Sequence, residues 1–181
     1  MGDRVGVHLP VGADVVTIHS SNPFAEPADD RRRFRGRLGG AVSLWTCAGP
    51  AGLTVSSLMV ALGSPARVLG LLDPDSDLCL GLAESGRCVV QLLGWEDRSL
   101  ADAFAGTAPA PGGAFAAATW SDTSHGPLLA SASTWALVSL ESMSSVGWSS
   151  LAVCTIDSLE VGDEDGAGDG PLLHRRGRYH H

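Results

Sequence analysis

The hydroxyl run Thr54-Val55-Ser56-Ser57 follows the small-residue stretch Gly49-Pro50-Ala51-Gly52. Small residues let a backbone come close to a ligand, and adjacent hydroxyls and amides can hold a phosphate or a ring carbonyl. Ser76 opens a second such place, ahead of an amphipathic run, where its hydroxyl both caps a helix and faces an anion. A serine at a helix start is usually only a cap. Asp73, Asp75, Asp77 and Glu84 fall at positions 1, 3, 5 and 12 of a calcium-loop count, but the position that needs glycine is Leu78. Calcium is rejected on that ground. Six histidines, at 8, 19, 125, 174, 180 and 181, show no metal-ligand spacing, and His125 ahead of Gly126-Pro127 reads as a loop histidine. Cysteines 47, 79, 88 and 154 form no C-x-x-C pair, so buried thiols are expected rather than a zinc ribbon or a disulfide framework. No Walker loop, G-x-G-x-x-G or H-E-x-x-H motif occurs.

All 12 basic residues are arginine. Without lysine there is no Schiff base, no lysine general base and no Walker lysine, so a phosphate must be held by arginine, hydroxyls or backbone amides. A chain of 181 residues that is 44% hydrophobic supports one domain with a real core. Its net charge of −8 at pH 7 argues against a general binder of nucleic acid or anionic membrane. The N-terminus lacks a long apolar stretch, and no run reaches the roughly 18 residues of a membrane span. A soluble, cytoplasmic protein is expected.

Residues 1–26 read as a peripheral leader with one short strand at 15–18, and residues 27–181 as the domain. Asp29 and Asp30 favour a helix start, five arginines follow between 31 and 37, Phe34 and Leu38 share a face, and Gly39-Gly40 stops the helix. For the arginines a solvated helical face is favoured over a DNA-binding arm. Strands are expected at 41–47, 53–62, 67–72, 87–93, 137–143 and 151–159, helices at 76–85 and 96–105, and a Pro/Gly/Ala linker at 107–114. Residues 157–169 carry six carboxylates and no base, which reads as an exposed, mobile loop. Helical runs are too few for alternating βαβ units, so a small antiparallel barrel is preferred.

The order of segments resembles the flavin reductase-like family of FMN-binding split β-barrels. Gly40-Ala41-Val42-Ser43-Leu44 looks like its glycine-led first strand, and Gly52-Leu53-Thr54-Val55-Ser56-Ser57 closely matches its G-M-T-V-S-S signature. Ser64-Pro65, Leu71-Leu72-Asp73, Ser85-Gly86-Arg87, Leu100-Ala101 with Phe104-Ala105-Gly106, Gly126-Pro127-Leu128-Leu129 and Pro171-Leu172-Leu173 follow in order, closed by Arg176-Gly177-Arg178-Tyr179. The resemblance spans residues 28–179. It implies a mainly β, Greek-key antiparallel split barrel with a few short helices. It also implies a homodimer that binds FMN near the dimer interface, with FAD as a further possibility.

The implied activity is hydride transfer from NAD(P)H to flavin, often in supply of a flavin-dependent monooxygenase partner. By position, Thr54 and Val55 would lie along the isoalloxazine ring, Ser56, Ser57 and Ser76 would approach the ribityl-phosphate, and Arg176 and Arg178 would meet phosphate or the partner subunit. No catalytic acid or base and no metal is implied, because a nicotinamide stacked on the flavin reacts directly. The chain departs from the family at Leu78, where threonine is common, at Gln91, where asparagine is usual, and at Gly147-Trp148-Ser149, where Gly-Asp-His is frequent. These departures keep an alternative open: a non-catalytic homodimer holding FMN or another planar ligand, haem included, on the same barrel.

Overall fold

The computed structural model describes residues 30–162 and 170–180. The expected leader with its strand at 15–18, the acidic residues 163–169 and His181 lie outside the described residues.

Helix α1 (Asp30–Leu38) starts on an acid that complements its positive end and stops at Gly39, whose φ of +63° suits glycine. The chain then runs through β1 (Gly40–Ala41), β2 (Ser43–Cys47), β3 (Ala51–Val55), β4 (Met59–Ala61) and β5 (Arg67–Leu72) into α2 (Asp77–Ser85). Next come β6 (Arg87–Leu92), α3 (Arg98–Phe104), the hairpin β7 (Trp120–Thr123) and β8 (Gly126–Leu129), and the long pair β9 (Trp135–Val146) and β10 (Ser149–Glu160). The terminal hairpin is β11 (Leu173–Arg175) and β12 (Arg178–His180).

Seven strands form one antiparallel sheet in the order β3-β2-β6-β9-β10-β5-β4, which curls so that its two ends approach one another. At the seam the Ser57 hydroxyl stands in for a neighbouring strand. It donates to the Leu71 carbonyl at 3.0 Å and accepts the Leu71 N–H at 2.9 Å. Inside the curl, Gly70 of β5 approaches Trp45 so closely that a Cβ would lie 2.9 Å from the indole. The three-stranded set β1-β11-β12 and the β7–β8 hairpin lie outside this sheet.

Alternation along β2 explains the two cores. All five of its residues are buried, with Trp45 and Cys47 in the barrel interior and Leu44 in a second cluster. The interior also takes Val55, Leu72, Val138 and Ala152, and α2 plugs it with Leu78, Cys79 and Leu82. The second cluster holds Leu93, Leu100, Phe104, Leu129 and Leu172 beneath α3 and the terminal hairpin. The Phe104, Phe115 and Trp120 rings meet there at 4.8 to 5.9 Å, in edge-on and tilted contacts. All four cysteines are free and buried, as expected. The hydrogen-bonded neighbour Cys154, together with burial, pushes the Cys88 thiol well above the usual range, which leaves it unreactive.

Three expectations need correction. The single strand at 53–62 is two, because residues 56–58 leave the ladder to cross the seam. The β7–β8 and β11–β12 hairpins had no strand signal, being short and rich in polar residues, glycine and proline. Asp157 does not belong to an acidic loop. It sits in β10, where the register passes from Ile156 opposite Val138 to Ser158 opposite Leu137, so Asp157 is the extra residue of a β-bulge.

Candidate active site

The exit of β3 places the predicted hydroxyls. Thr54 is half-buried and donates its Oγ1 hydrogen to the Ala101 carbonyl of α3 at 2.8 Å, which ties strand to helix. Val55 points into the barrel, only 2% exposed, and its carbonyl accepts from the Ser43 hydroxyl at 2.7 Å. Ser56 is exposed, and its hydroxyl bonds to none of the described residues. Ser57 is the seam staple. Ser76 caps α2: its Oγ accepts from the Cys79 N–H at 3.2 Å and donates to the Asp73 carbonyl at 2.7 Å. Ser57 and Ser76 are thus tied, respectively, to the end of β5 and the start of α2, with both hydroxyls already engaged.

On the other side of Ser56 lies the terminal hairpin. Gly40 of β1 pairs with His174 of β11, and a Cβ on Gly40 would come within 3.0 Å of the Ser56 carbonyl. His174 meets the Tyr179 ring edge-on at 5.6 Å. The Tyr179 hydroxyl donates to Asp102 Oδ1 at 2.7 Å, and Thr107 donates to the same carboxylate at 3.2 Å. Asp102 follows Ala101, the acceptor of Thr54. Thr54, Ser56, Gly40, His174, Tyr179 and Asp102 therefore form one continuous patch. Arg176 and Arg178 are exposed at the hairpin's tip, Arg176 with φ of +53°.

Electrostatics divide this patch. Burial, with the Arg35 charge adding to it, lowers the His174 pKa from its ordinary 6.5 despite the opposing pull of Asp102. Burial and the Asp102 hydrogen bond push the Tyr179 phenol far up, so it stays a donor. Near Ser76, the Asp73 carboxylate turns back to accept the Asp75 N–H at 3.0 Å, while Asp75 and Asp77 face solvent.

The donor set suits a phosphate-bearing planar group. It offers the Ser56 hydroxyl, backbone that has left its ladder at 56–58, a glycine that keeps that backbone open, and two arginines. Leu78, standing where threonine is common in the family, is fully buried and offers nothing to a ligand. Gln91 is also fully buried. Its Nε2 donates to Thr46 at 3.2 Å and its Oε1 accepts the Leu129 N–H at 2.7 Å, which pins β8 to the sheet. Trp148 stands exposed at the turn between β9 and β10. No group of His, Cys, Asp and Glu fit for a metal occurs among the described residues. A cleft of about 650 Å³ opens elsewhere, between α3, the segment around Pro109–Gly113 and the end of β8. Its charged lining residues are the acids Glu96 and Asp97, so it does not suit a phosphate.

Sequence reasoning missed His174, Tyr179 and Asp102. The Arg176-Gly177-Arg178-Tyr179 run was the available signal, but its hairpin was not. His125, expected as a loop histidine, is buried: its Nε2 lies 2.8 Å from Asp157 Oδ2 and its Nδ1 lies 2.9 Å from Ser124 Oγ. Ser139 donates to the same Asp157 oxygen at 2.6 Å, so this network pins the β7–β8 turn to the barrel.

A family model for the flavin reductase like domain matches residues 35–181. Among solved structures, the NADH:FAD oxidoreductase SgcE6 of Streptomyces globisporus C-1027, in complex with NAD and FAD fragments, is 21% identical with a TM-score of 0.74, covering 87% of this chain and 96% of that one. The flavin reductase PheA2 in its native state is 20% identical with a TM-score of 0.73, covering 84% and 97%. BorF, the flavin reductase component of a bacterial two-component tryptophan halogenase, is 21% identical with a TM-score of 0.72, again covering 84% and 97%. No curated protein matches the chain. No described helix is long and apolar enough to cross a membrane. With most of its length matched by the family model and its strands in the same split barrel, the chain belongs to the flavin reductase-like family.

Proposed function

We propose that the chain is an FMN-binding oxidoreductase of the flavin reductase type, reduced by NADH or NADPH and working as a cytoplasmic homodimer that supplies a flavin-dependent monooxygenase. The observation that carries this is the open exit of β3, where exposed Ser56 adjoins Gly40, whose strand pairs with the arginine-bearing hairpin, in a chain of this family. SgcE6 with its NAD and FAD fragments supports the cofactor pair, and BorF, one component of a two-component halogenase, supports a partner enzyme.

Bound flavin supplies the redox chemistry, taking a hydride from a nicotinamide stacked on it. The chain's own residues do the positioning. Ser56 and the backbone at 56–58 hydrogen-bond the cofactor's polar edge or phosphate, and Arg176 and Arg178 balance phosphate charge. His174, its pKa lowered by burial and by the Arg35 charge, favours its neutral form on the strand that pairs with Gly40. Ser57 and Ser76 hold the walls of the site rather than the ligand.

Titration of the purified protein with FMN, FAD and haem, followed by anaerobic addition of NADH or NADPH, tests this. FMN binding followed by bleaching of the flavin's visible band is the expected result. Flavin that binds but is not bleached, or haem that binds where flavin does not, selects the non-catalytic alternative, and binding of neither overturns both. Ser56→Ala should weaken FMN binding about fivefold, the loss of about one hydrogen bond, while leaving the melting temperature unchanged.

A further inference from the structure

The arginines of this acidic chain are not spread over it. Eight of the 12 lie in two short segments, the five of residues 31–37 and Arg175, Arg176 and Arg178. The remainder has four arginines against all 20 carboxylates. The fold joins the two segments: the Arg176 N–H donates to the Gly36 carbonyl at 2.7 Å, and the Arg175 side chain lies against Gly39. Apart from Arg32, whose side chain is not described, every one of these arginines is exposed. Among the described residues the only ion pair on this surface is Arg33 with Asp30, at 3.1 Å and open to solvent. Phe34 and Leu38, four apart on α1, are 68% and 69% exposed instead of packing on the barrel.

We propose that α1 and the β11–β12 hairpin form a docking platform for an acidic surface on a protein partner, the acceptor of the reduced flavin. Naming that acceptor rests on the function proposed above, whereas the docking chemistry does not. Arginine and aromatic residues are the side chains most enriched at the centres of protein interfaces. A cluster of positive charge also steers such a partner during encounter. A small ligand would need a concave site, and an exposed helix about 13 Å long is not one. An extended polyanion such as DNA, or an anionic membrane, would also face the acidic body, whereas a compact acidic patch need not. A symmetric α1-to-α1 pairing of two copies would set arginine against arginine.

The test uses the full chain and its triple variant Arg31→Ser, Arg33→Ser, Arg37→Ser, which spares Arg35, Arg176 and Arg178 beside the candidate site. A labelled oligoglutamate peptide serves as probe, with a DNA oligonucleotide of equal charge and phosphatidylserine vesicles as competing probes. The peptide should bind the natural chain, weaken as salt rises from about 0.05 M to about 0.3 M, and bind the triple variant at least about tenfold less tightly. Arg87→Ser, on β6, should leave that binding unchanged, as the triple variant should leave FMN affinity and solution mass. Unchanged peptide affinity in the triple variant overturns the proposal, as does tighter binding of DNA or vesicles than of peptide. A loss of dimer mass in the variant would assign the platform to a second copy, and a parallel loss of FMN affinity would assign it to the flavin site. If the natural chain binds no flavin yet keeps the peptide pattern, the platform stands and only the identity of the acceptor fails.

Discussion

Asp157 is held by a backbone irregularity. As the extra residue of the bulge it has no partner opposite it in β9, and its side chain is fixed by His125 and Ser139. Glu141 is the matching case on β9, unpaired between Leu140 and Ser142 and joined to Arg67 at 2.6 Å. Burial pushes the Asp157 carboxyl up, but hydrogen bonds from Ser139 and His125 and the His125 and Arg87 charges outweigh it, so its pKa falls below the ordinary 3.8. A depressed carboxyl pKa stabilises the fold fully above the ordinary value and loses that contribution as pH falls through the folded-state value. Denaturant midpoints of the natural chain should therefore drop in that acid window. Asp157→Asn should be less stable at neutral pH and should lose less on acidification; parallel pH profiles would show that the carboxylate does not contribute. Gln91 invites a sharper test, since Gln91→Leu would leave the buried Leu129 N–H without its acceptor. The expected cost is about 1–3 kcal/mol in chemical denaturation, and a neutral result would mean that β8 finds another partner.

At the scale of elements, α2 shows why part of this fold could be read directly. Ser76, the spacing of Leu78 and Leu82, and Gly86 mark its start, its face and its end; Gly86 has φ of +68°, and its N–H returns to the Leu82 carbonyl. The strand at 67–72 was equally plain, because its burial alternates along its length. The end of β9, residues 144–146, carries no such signal, because all three residues there are exposed. The seam was illegible for another reason. Nothing local tells that the Ser57 hydroxyl will replace a strand, and nothing near residue 54 announces a hairpin more than a hundred residues away. Hence the residues alone point to the β3 half of the candidate site, Arg176 and Arg178 enter only through the family resemblance, and nothing in the sequence assigns His174 or Tyr179 to the site. For Ser76 the bland role is the one the geometry supports. Ser76→Ala should lower stability by about 1 kcal/mol, the cost of a lost cap, and leave FMN affinity within twofold. A selective loss of FMN binding with unchanged stability would return this hydroxyl to the ligand.

At the scale of the molecule, the sheet ends in a strand that no other described element covers. β4 bonds only to β5, all three of its residues are exposed, and Met59, Val60 and Leu62 are 56%, 57% and 92% exposed. An open apolar edge invites pairing with another chain, and proteins that stay monomeric blunt such edges with charge, proline or cover. Here the run from Met59 to Gly63 holds no charge at all. This edge is distant in sequence from the arginine platform and opposite to it in character, so the two suit different occupants: a second copy here, an acidic partner there. If β4 builds the homodimer, Val60→Lys should convert the dimer mass seen by light scattering to that of a single chain. It should do so without loss of the far-ultraviolet circular dichroism spectrum, because Val60 takes no part in either core. FMN affinity should fall with the dimer if the partner chain completes the flavin site, and should hold if the β3 exit suffices alone. A Val60→Lys protein that keeps its dimer mass would move the interface away from β4 and leave this edge without its proposed role.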